Sequence, residues 1–264
     1  MNPAKVAGRV AVALALPLFL IIAWWFASAG SDNVYFPPLS TIVKIFPPTW
    51  LEGGTDARIV ADLLPSLGRL AMGLTLAALL GIGAGLAIGS SPALRAVTEP
   101  VLEIFRAIPP PALVPLLVAI AGIDTLMKVL VIVIGCVWPI LLNTVEGVRA
   151  IDPVLSDTCR AYGIRGQTRL RSLVLRSASP QIMTGLRQAL SLGIILMVIS
   201  EMFAASNGLG FTIVQFQRTF AVPQMWTGII VLGLLGVALS LSFQAAERRL
   251  LHWYFGLRQA HRQE

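Results

Sequence analysis

Residues 149–187 read RAIDPVLSDTCRAYGIRGQTRLRSLVLRSASPQIMTGLR, and this basic segment separates two long apolar stretches of the chain. Seven of the twenty Lys and Arg residues fall within it. A polar segment of this length between apolar stretches predicts a loop that meets another molecule at a membrane surface. Because basic loops stay on the cytoplasmic side of a membrane protein, we expect this segment in the cytoplasm.

The composition indicates a protein whose main solvent is lipid. Of 264 residues, 56% are hydrophobic and 12% are charged, and the mean hydropathy is +0.80. Ordinary soluble domains carry about 25% charged residues. The net charge of +7 does not indicate a nucleic-acid partner, since the basic residues are not interleaved with aromatic ones on a polar domain. The cytoplasmic bias of basic residues explains the excess.

Six apolar stretches approach the length of about 20 residues that a membrane-spanning helix requires. They predict an all-α, polytopic membrane protein with about six transmembrane helices. The stretches are 10–29, 68–89, 107–122, 126–146, 182–204 and 225–245. The third is short and rich in proline, so its ends are the least well defined.

The first stretch has an alternative interpretation as a signal peptide. Lys5 and Arg9 precede it, and Ala27-Ser28-Ala29 resembles a cleavage site. Its apolar run exceeds the roughly 7–15 residues of a signal core. Trp24 and Trp25 near its end suit an interfacial aromatic belt, and we therefore predict an uncleaved span.

The distribution of basic residues predicts the orientation. With the N-terminus in the cytoplasm, five basic residues fall in outer segments, namely Lys44, Arg58, Arg69, Lys128 and Arg218. The other fifteen fall in inner segments, namely Lys5, Arg9, Arg95, Arg106, Arg149, Arg160, Arg165, Arg169, Arg171, Arg176, Arg187, Arg248, Arg249, Arg258 and Arg262. This excess predicts that both termini are cytoplasmic.

The predicted outer segment, residues 30–66, is polar and contains the pairs Pro37-Pro38 and Pro47-Pro48. Proline lacks a backbone N–H and restricts the residue before it, so these pairs are expected to stop regular helix. Between them, residues 39–46 could form a short helix that lies on the membrane surface.

The second apolar stretch has small residues at every fourth position, namely Gly73, Ala77, Gly81, Gly85 and Gly89. This spacing places them on one face of a helix. Because lipid provides no hydrophobic force between helices, such a face favours close backbone packing against a neighbour.

The sequence carries no signature of an enzyme, a disulfide framework or a metal site. It has no Gly-Lys dipeptide and hence no phosphate-binding loop. Its two histidines, His252 and His261, lie in the basic tail, and its two cysteines, Cys136 and Cys159, lie in unlike surroundings. We expect no cofactor or metal ion to be bound by this chain.

Five residues within or beside the apolar stretches are candidates for lining a solute path, namely Pro109, Pro110, Pro139, Asn143 and Glu201. A proline in a membrane helix frees a carbonyl, and the resulting bend is either a simple kink or one wall of a path. Asn143 either faces a path or joins two helices. Glu201, the only charged residue in 189–217, steers solute, acts at a gate or braces the SNGLG turn after it.

The basic segment resembles the EAA motif of bacterial ABC importer permeases. That motif reads Glu-Ala-Ala, three residues, Gly, nine residues and Ile-x-Leu-Pro. Here the triplet is Asp157-Thr158-Cys159, the glycine is Gly163, and the end reads Leu-Val-Leu-Arg at 173–176. Arg176 replaces the motif's proline, so the motif leaves open how the following helix ends.

Further segments resemble the permeases for nitrate, sulfonate, taurine and bicarbonate, a subfamily that also includes importers of thiamine precursors. They are YFPPLSTIV (35–43), LGRLAMGLTLAALLGIGAGLAIGSSP (67–92), RAIPPPALVPL (106–116), PILLNTVEGVRAIDPVL (139–155), PQIMTGLRQAL (180–190) and SEMFAASNGLGF (200–211). Together they cover nearly all of the chain from residue 35 onward.

The resemblance implies a type I ABC importer permease fold in a bacterial inner membrane. Residues 1–66 would be a first transmembrane helix with an extracytoplasmic segment, and 67–264 a core permease domain with a cytoplasmic coupling segment, 149–180. It further implies a permease homodimer, two cytoplasmic ATPase subunits that hold ATP and Mg²⁺, and an extracytoplasmic substrate-binding protein. The residues expected to couple to the ATPase are Asp157, Thr158, Cys159, Ala161, Tyr162, Gly163, Ile164 and Arg165.

The function implied is ATP-driven import of a small solute by alternating access, with a sulfonate, taurine, nitrate or similar anion as the solute. A thiamine-precursor-like or other small organic solute is the alternative within the family. A secondary carrier or pore that works without an ATPase, and a membrane scaffold that carries nothing, are the alternatives from other classes. Proton-coupled carriers usually place several ionisable groups near the middle of the membrane, whereas Glu201 is nearly alone there, which argues against such a carrier.

Overall fold

The computed structural model describes residues 3–203, 205–254 and 256. Residue 204, the predicted end of the fifth span, lies outside the described residues, as do Arg258, His261 and Arg262 of the basic tail. All regular secondary structure in the described ranges is helical, which confirms the all-α class.

Eleven α-helices lie in the described part of the chain, and four short 3₁₀ or π segments connect or extend them. The α-helices are α1 (Pro3–Ser28), α2 (Leu39–Trp50), α3 (Leu64–Ser90), α4 (Pro92–Arg106), α5 (Val114–Ala121), α6 (Thr125–Arg149), α7 (Pro153–Ala161), α8 (Gly166–Arg169), α9 (Leu175–Phe203), α10 (Leu209–Arg218) and α11 (Val222–Leu250). The short segments are Gly54–Asp56, Ile59–Leu63, Pro110–Leu113 and Leu170–Val174.

Four helical runs among the described residues are long and apolar enough to cross a membrane without a sharp bend, namely Ile59–Ser90, Thr125–Arg149, Gly166–Phe203 and Val222–Leu250. They confirm four of the predicted spans, and the run ending at Phe203 begins much earlier than predicted. The first predicted span corresponds to α1, whose part Ala15–Ser28 is a shorter apolar helix. The count of six is therefore approximate. The expected division of the chain at residue 66 lies inside the run Ile59–Ser90 and stays a prediction.

The predicted third span, 107–122, corresponds to the second arm of a bent helix pair and not to a straight spanning helix. The helical stretches Pro92–Arg106 and Pro110–Ala121 meet at an angle of 78°. The second stretch has only 12 residues. At 1.5 Å per residue it is about 18 Å long, too short for a hydrocarbon layer of about 30 Å. The bend follows from the three consecutive prolines that begin at Pro109, which supply no backbone donors to continue α4.

The prediction that Pro47-Pro48 would stop the helix in the outer segment was wrong. Helix α2 continues through both prolines to Trp50, whose side chain is fully buried. Trp50 Nε1 donates a hydrogen bond of 2.8 Å to Thr227 Oγ1 on α11. The carbonyls of Val43 and Lys44, which the two prolines leave without helical donors, lie on an exposed side of α2. Packing of α2 against α11 thus outweighs the two missing hydrogen bonds.

The core consists of α3, α6 and α9, and the predicted face of small residues on α3 packs against α6. A Cβ added to Gly73 would lie 2.5 Å from Ile132 Cγ2, and one added to Gly81 would lie 2.9 Å from Ile140. A Cβ on Gly85 or Gly89 would equally collide with a side chain of α6. The prediction of close helix packing is confirmed, since no side chain larger than hydrogen fits at these positions.

The helix that begins after α7 does not end near Arg176, where the sequence departs from the motif. The helical run continues from Gly166 through a π segment at 170–174 to Phe203, with Pro180 inside it. Leu173 and Val174 are buried, whereas Leu170 is exposed. One long helix therefore joins the segment after α7 to the far end of the core.

Candidate functional site

Helix α7 contains half of the residues expected to couple to an ATPase, and both of its ends are fixed by local sequence. Asp152 precedes it and accepts a hydrogen bond of 2.8 Å from the Val154 backbone N–H, and Pro153 takes the first helical position. Gly163 ends the helix with φ +67°, and the Ile164 N–H donates to the Cys159 carbonyl at 2.8 Å. Gly163 thus has the left-handed conformation in which glycine commonly ends a helix.

The surface of α7 is open, and none of its residues is buried. The apolar side chains Val154, Leu155 and Tyr162 are exposed, Tyr162 to 79%. Asp157 and Arg160 form an exposed ion pair at 3.1 Å. Large exposed apolar side chains beside charged ones are typical of a surface that meets another protein.

The other expected coupling residues surround this surface. Thr158, Ala161 and Arg165 are exposed, and Cys159 and Ile164 are half-buried. Helix α7 is attached to the residues that follow it by a hydrogen bond of 3.2 Å from Arg169 Nη2 to Ser156 Oγ. A cleft of about 420 Å³ separates α7 from the ends of α3 and α6 at Gly89 and Val148.

A buried polar network at the opposite end of the core surrounds Glu201 of α9. Arg69 Nη1 of α3 donates to Glu201 Oε1 at 2.6 Å, and Ser66 Oγ lies 2.8 Å from the same oxygen. The Gly210 backbone N–H donates to Glu201 Oε2 at 3.1 Å. Glu201 is 1% exposed and Arg69 is 5% exposed. Its cation and these hydrogen-bond donors offset the cost of burying the carboxylate.

The same network closes around the turn that precedes α10. The Gly208 N–H donates to Asp62 Oδ1 at 3.1 Å, and the Leu209 N–H donates to Ser66 Oγ at 3.0 Å. Arg69 also donates to the backbone carbonyl and side-chain oxygen of Asn207. Of the roles considered for Glu201 from the sequence, bracing of this turn is the one that the geometry matches.

The remaining path candidates lie elsewhere in the fold. Asn143 Nδ2 donates to the Pro139 carbonyl at 2.7 Å and to Gln188 Oε1 at 3.1 Å. Gln188 precedes Glu201 by thirteen positions on α9, which is about 20 Å of helix. The structure therefore brings Pro139 and Asn143 together and separates them from Glu201.

The two prolines before α5 take different environments. Pro109 is exposed, while Pro110 packs against α6, since a Cβ on Gly135 would lie 3.3 Å from Pro110 Cβ. Their part in a solute path stays a prediction.

The sequence analysis missed the partners of Glu201. Arg69 was counted only as an outer basic residue, and Asp62 and Ser66 were not considered. The available signal was the position of Arg69 inside an apolar stretch, where an arginine requires a carboxylate partner. Within the described residues, no three His, Cys, Asp or Glu side chains are close enough to share a metal ion.

Comparisons with known proteins give one consistent result. Residues 77–252 match the family described as binding-protein-dependent transport system inner membrane component. The chain is 30% identical to the taurine transport system permease protein TauC of Escherichia coli (strain K12), over 93% of this chain and 90% of that protein.

Two further relatives are named for other substrates. The putative aliphatic sulfonates transport permease protein SsuC of Bacillus subtilis (strain 168) is 29% identical, over 89% of this chain and 84% of that protein. The nitrate import permease protein NrtB of Synechocystis sp. (strain ATCC 27184 / PCC 6803 / Kazusa) is 28% identical, over 88% and 84%.

Proposed function

Because the chain belongs to the family of binding-protein-dependent transport inner-membrane components, as an ABC importer permease of the nitrate, sulfonate and taurine group, we propose that it carries a small oxyanion across the inner membrane by alternating access. Two copies would form the path, two cytoplasmic ATPase subunits would drive it with ATP and Mg²⁺, and an extracytoplasmic binding protein would deliver the solute.

The observation that carries this proposal is the geometry of α7. It is a short capped helix with exposed Val154, Leu155 and Tyr162, and it lies at one end of a core of membrane-spanning helices. An apolar surface of this kind favours a protein partner in the aqueous phase over lipid, since Asp157 and Arg160 lie on the same helix. We assign this surface to contact with the ATPase.

The helical run Gly166–Phe203 provides a physical connection between the two ends of the molecule. Its 38 residues extend over about 57 Å, and it joins the segment after α7 to the network at Glu201. A displacement of α7 by the ATPase would therefore be carried to the other end of the core. ATP would act through a different affinity for the two states of the transporter.

The placement of the parts in the membrane follows from charge and exposure. The excess of basic residues in the segments between alternate spans supports cytoplasmic termini and a cytoplasmic α7. The hydrogen bond between Asn143 and Gln188 is exposed on the surface of the single chain. A second copy would be needed to enclose a path there, which supports the homodimer.

The choice of a small oxyanion as the solute rests on the relatives, which are named for transport of taurine, aliphatic sulfonates and nitrate. A thiamine-precursor-like solute remains the alternative within the family.

The test is uptake of labelled taurine, an alkanesulfonate, nitrate and a thiamine precursor into vesicles that contain the permease, its ATPase and its binding protein. We expect uptake of an oxyanion that requires ATP and the ATPase. Tyr162→Ala should weaken binding of the ATPase by roughly 1–3 kcal/mol, as loss of a buried aromatic at an interface does. Full uptake without the ATPase would overturn the proposal and favour a carrier or pore.

A further inference from the structure

A stripe of polar residues runs along the exposed face of α9. Thr184, Arg187, Gln188 and Ser191 are all exposed, and their spacing of three and four places them on one side of the helix. The opposite side of α9 packs into the core through residues such as Gly185 and Ala189. The stripe is therefore the part of α9 that the single chain leaves uncovered.

The stripe lies within the predicted span 182–204, in the half nearer the cytoplasm. Arg187 precedes Glu201 by fourteen positions, which is about 21 Å of helix, and a span of about 20 residues ending near Glu201 contains the whole stripe. An arginine or glutamine side chain is costly in contact with lipid and usually faces water or protein. The next exposed side chain on this face toward Glu201 is the apolar Ile195. The polar part of the face is thus confined to one half of the span.

The hydrogen bonds of the stripe fix the direction in which Gln188 points. The Pro139 carbonyl can only accept, so the Asn143 amide must turn its nitrogen toward it, and the second hydrogen of that nitrogen goes to Gln188 Oε1. Gln188 Nε2 consequently carries two hydrogens that no described residue accepts. The hydroxyls of Thr184 and Ser191 are used internally, since they donate to the Pro180 and Arg187 carbonyls.

Arg187 is held from the other side of the stripe by α11. Its Nη2 forms an ion pair with Glu247 Oε2. The Glu247 side chain is 9% exposed, whereas that of Arg187 is 54% exposed. The remaining N–H groups of Arg187 have no acceptor among the described residues. The open groups that Arg187 and Gln188 present on this face are therefore hydrogen-bond donors.

We propose that this stripe forms one wall of a water-filled solute path and that Arg187 and Gln188 are the residues of this wall that bind an anion. Their donors would bind one oxyanion group of a passing solute, a sulfonate or nitrate for example, because a guanidinium fork matches two such oxygens. Asn143 and Glu247 act as positioning residues for Gln188 and Arg187. The assignment deepens the proposed function and rests on it for the solute, but its geometry can be tested separately.

The test adds single cysteines to the permease in membrane vesicles that also contain its ATPase. The native Cys159 is kept because it belongs to the expected coupling surface, and the labelling of the permease without an added cysteine is measured as the background, while Cys136 is buried. Thr184→Cys and Ser191→Cys are treated with two membrane-impermeant methanethiosulfonates, one bearing a sulfonate and one a quaternary ammonium. Rates are normalised to those of a small free thiol and measured with and without ATP. Leu79→Cys, on an exposed apolar face of α3, is the lipid-facing control.

We expect both stripe cysteines to react in at least one nucleotide state and Leu79→Cys to stay unreactive. The normalised rate should favour the sulfonate reagent on the order of fivefold, and Arg187→Gln should abolish this preference. Protection of both stripe cysteines in both states would place the stripe against lipid or protein. That result would overturn the proposal that the stripe lines a water-filled path. Equal rates for the two reagents, or a preference that survives Arg187→Gln, would overturn the anion-binding role.

Uptake separates a failure of this inference from a failure of the proposed function. We expect the wild-type complex to import an oxyanion. We expect Arg187→Gln to raise the half-saturating concentration of that oxyanion about tenfold or more while ATP hydrolysis persists. These two results together would support the inference and the proposed function. Unchanged uptake in Arg187→Gln and in Gln188→Leu overturns the inference alone. A wild-type complex without ATP-dependent uptake overturns the proposed function, and the cysteine rates then still decide whether the stripe faces water.

Discussion

Arg69 Nη1 lies 2.6 Å from Glu201 Oε1 although the two residues are 132 positions apart, and both side chains are almost completely buried. Their ion pair joins α3 to α9 at the end of the core opposite α7. Because Ser66, Asn207 and the Gly210 N–H bind the same two groups, the pair also fixes the turn before α10.

Removal of one partner of this pair should destabilise the protein strongly. Arg69→Met leaves the Glu201 carboxylate buried without its cation, and we expect a loss of about 3–5 kcal/mol in the free energy of unfolding. Double substitution of Arg69→Met with Glu201→Gln should recover part of that loss. Unfolding of the detergent-solubilised permease measures both.

The control for this prediction is Arg106→Ala. Arg106 Nε donates to Glu103 Oε2 at 2.7 Å, and both side chains are about half exposed, so loss of this pair should cost only about 0–1 kcal/mol. Equal losses for Arg106→Ala and Arg69→Met would contradict the importance of the buried pair.

Gly208 should tolerate no side chain. Its φ is +118°, and a Cβ added there would lie 2.4 Å from the Glu201 carboxyl carbon. Gly208→Ala is therefore expected to displace the carboxylate and lower the thermal midpoint of the solubilised protein. Gly233→Ala is the matched change, because a Cβ at that helical position meets nothing within 4 Å. A similar midpoint for the two variants would count against the network geometry.

The turn after α7 should distinguish two substitutions of Gly163. Its φ of +67° costs a β-branched residue about 1–2 kcal/mol or more, whereas asparagine adopts this region more readily. We expect Gly163→Val to uncouple ATP hydrolysis from uptake while the spans stay folded, and Gly163→Asn to retain coupling. The measurement is the ratio of solute imported to ATP hydrolysed in vesicles. Normal coupling in Gly163→Val would show that the end of α7 is not the critical element.

The packing of α3 against α6 should depend on which glycine is changed. Gly81→Leu places a side chain where Ile140 already lies and is expected to cost about 1–3 kcal/mol or more. Gly83→Leu, two residues away on the open side of α3, should be nearly neutral. Comparison of their unfolding in detergent tests whether the face of small residues is a packing surface.

The parts of the fold that were predictable are those that depend on neighbours in the chain. The apolar stretches gave the spans at 126–146 and 225–245 within a few residues of Thr125–Arg149 and Val222–Leu250. The glycine after α7 and the face of small residues on α3 could also be predicted from the sequence. A positive φ and a spacing of four residues are local properties of the chain.

Two elements departed from local rules because tertiary packing outweighed them. Helix α2 passes through Pro47 and Pro48, since Trp50 gains a buried position and a hydrogen bond to Thr227. The third predicted span is one arm of a helix pair that bends by 78° near its prolines, a shape that hydropathy alone does not distinguish from a straight helix.

The sequence by itself determined that this chain is a membrane protein, and it determined the positions of most of its spans and of the turn after α7. Hydropathy and backbone preference are properties of short stretches of sequence. Only the tertiary structure decided that Arg69 is the partner of Glu201 and that Asn143 orients Gln188 from 45 positions away. The physical reason is that a buried charge or amide is stabilised by the distance to its partner's atoms. That distance arises only when separate helices pack together.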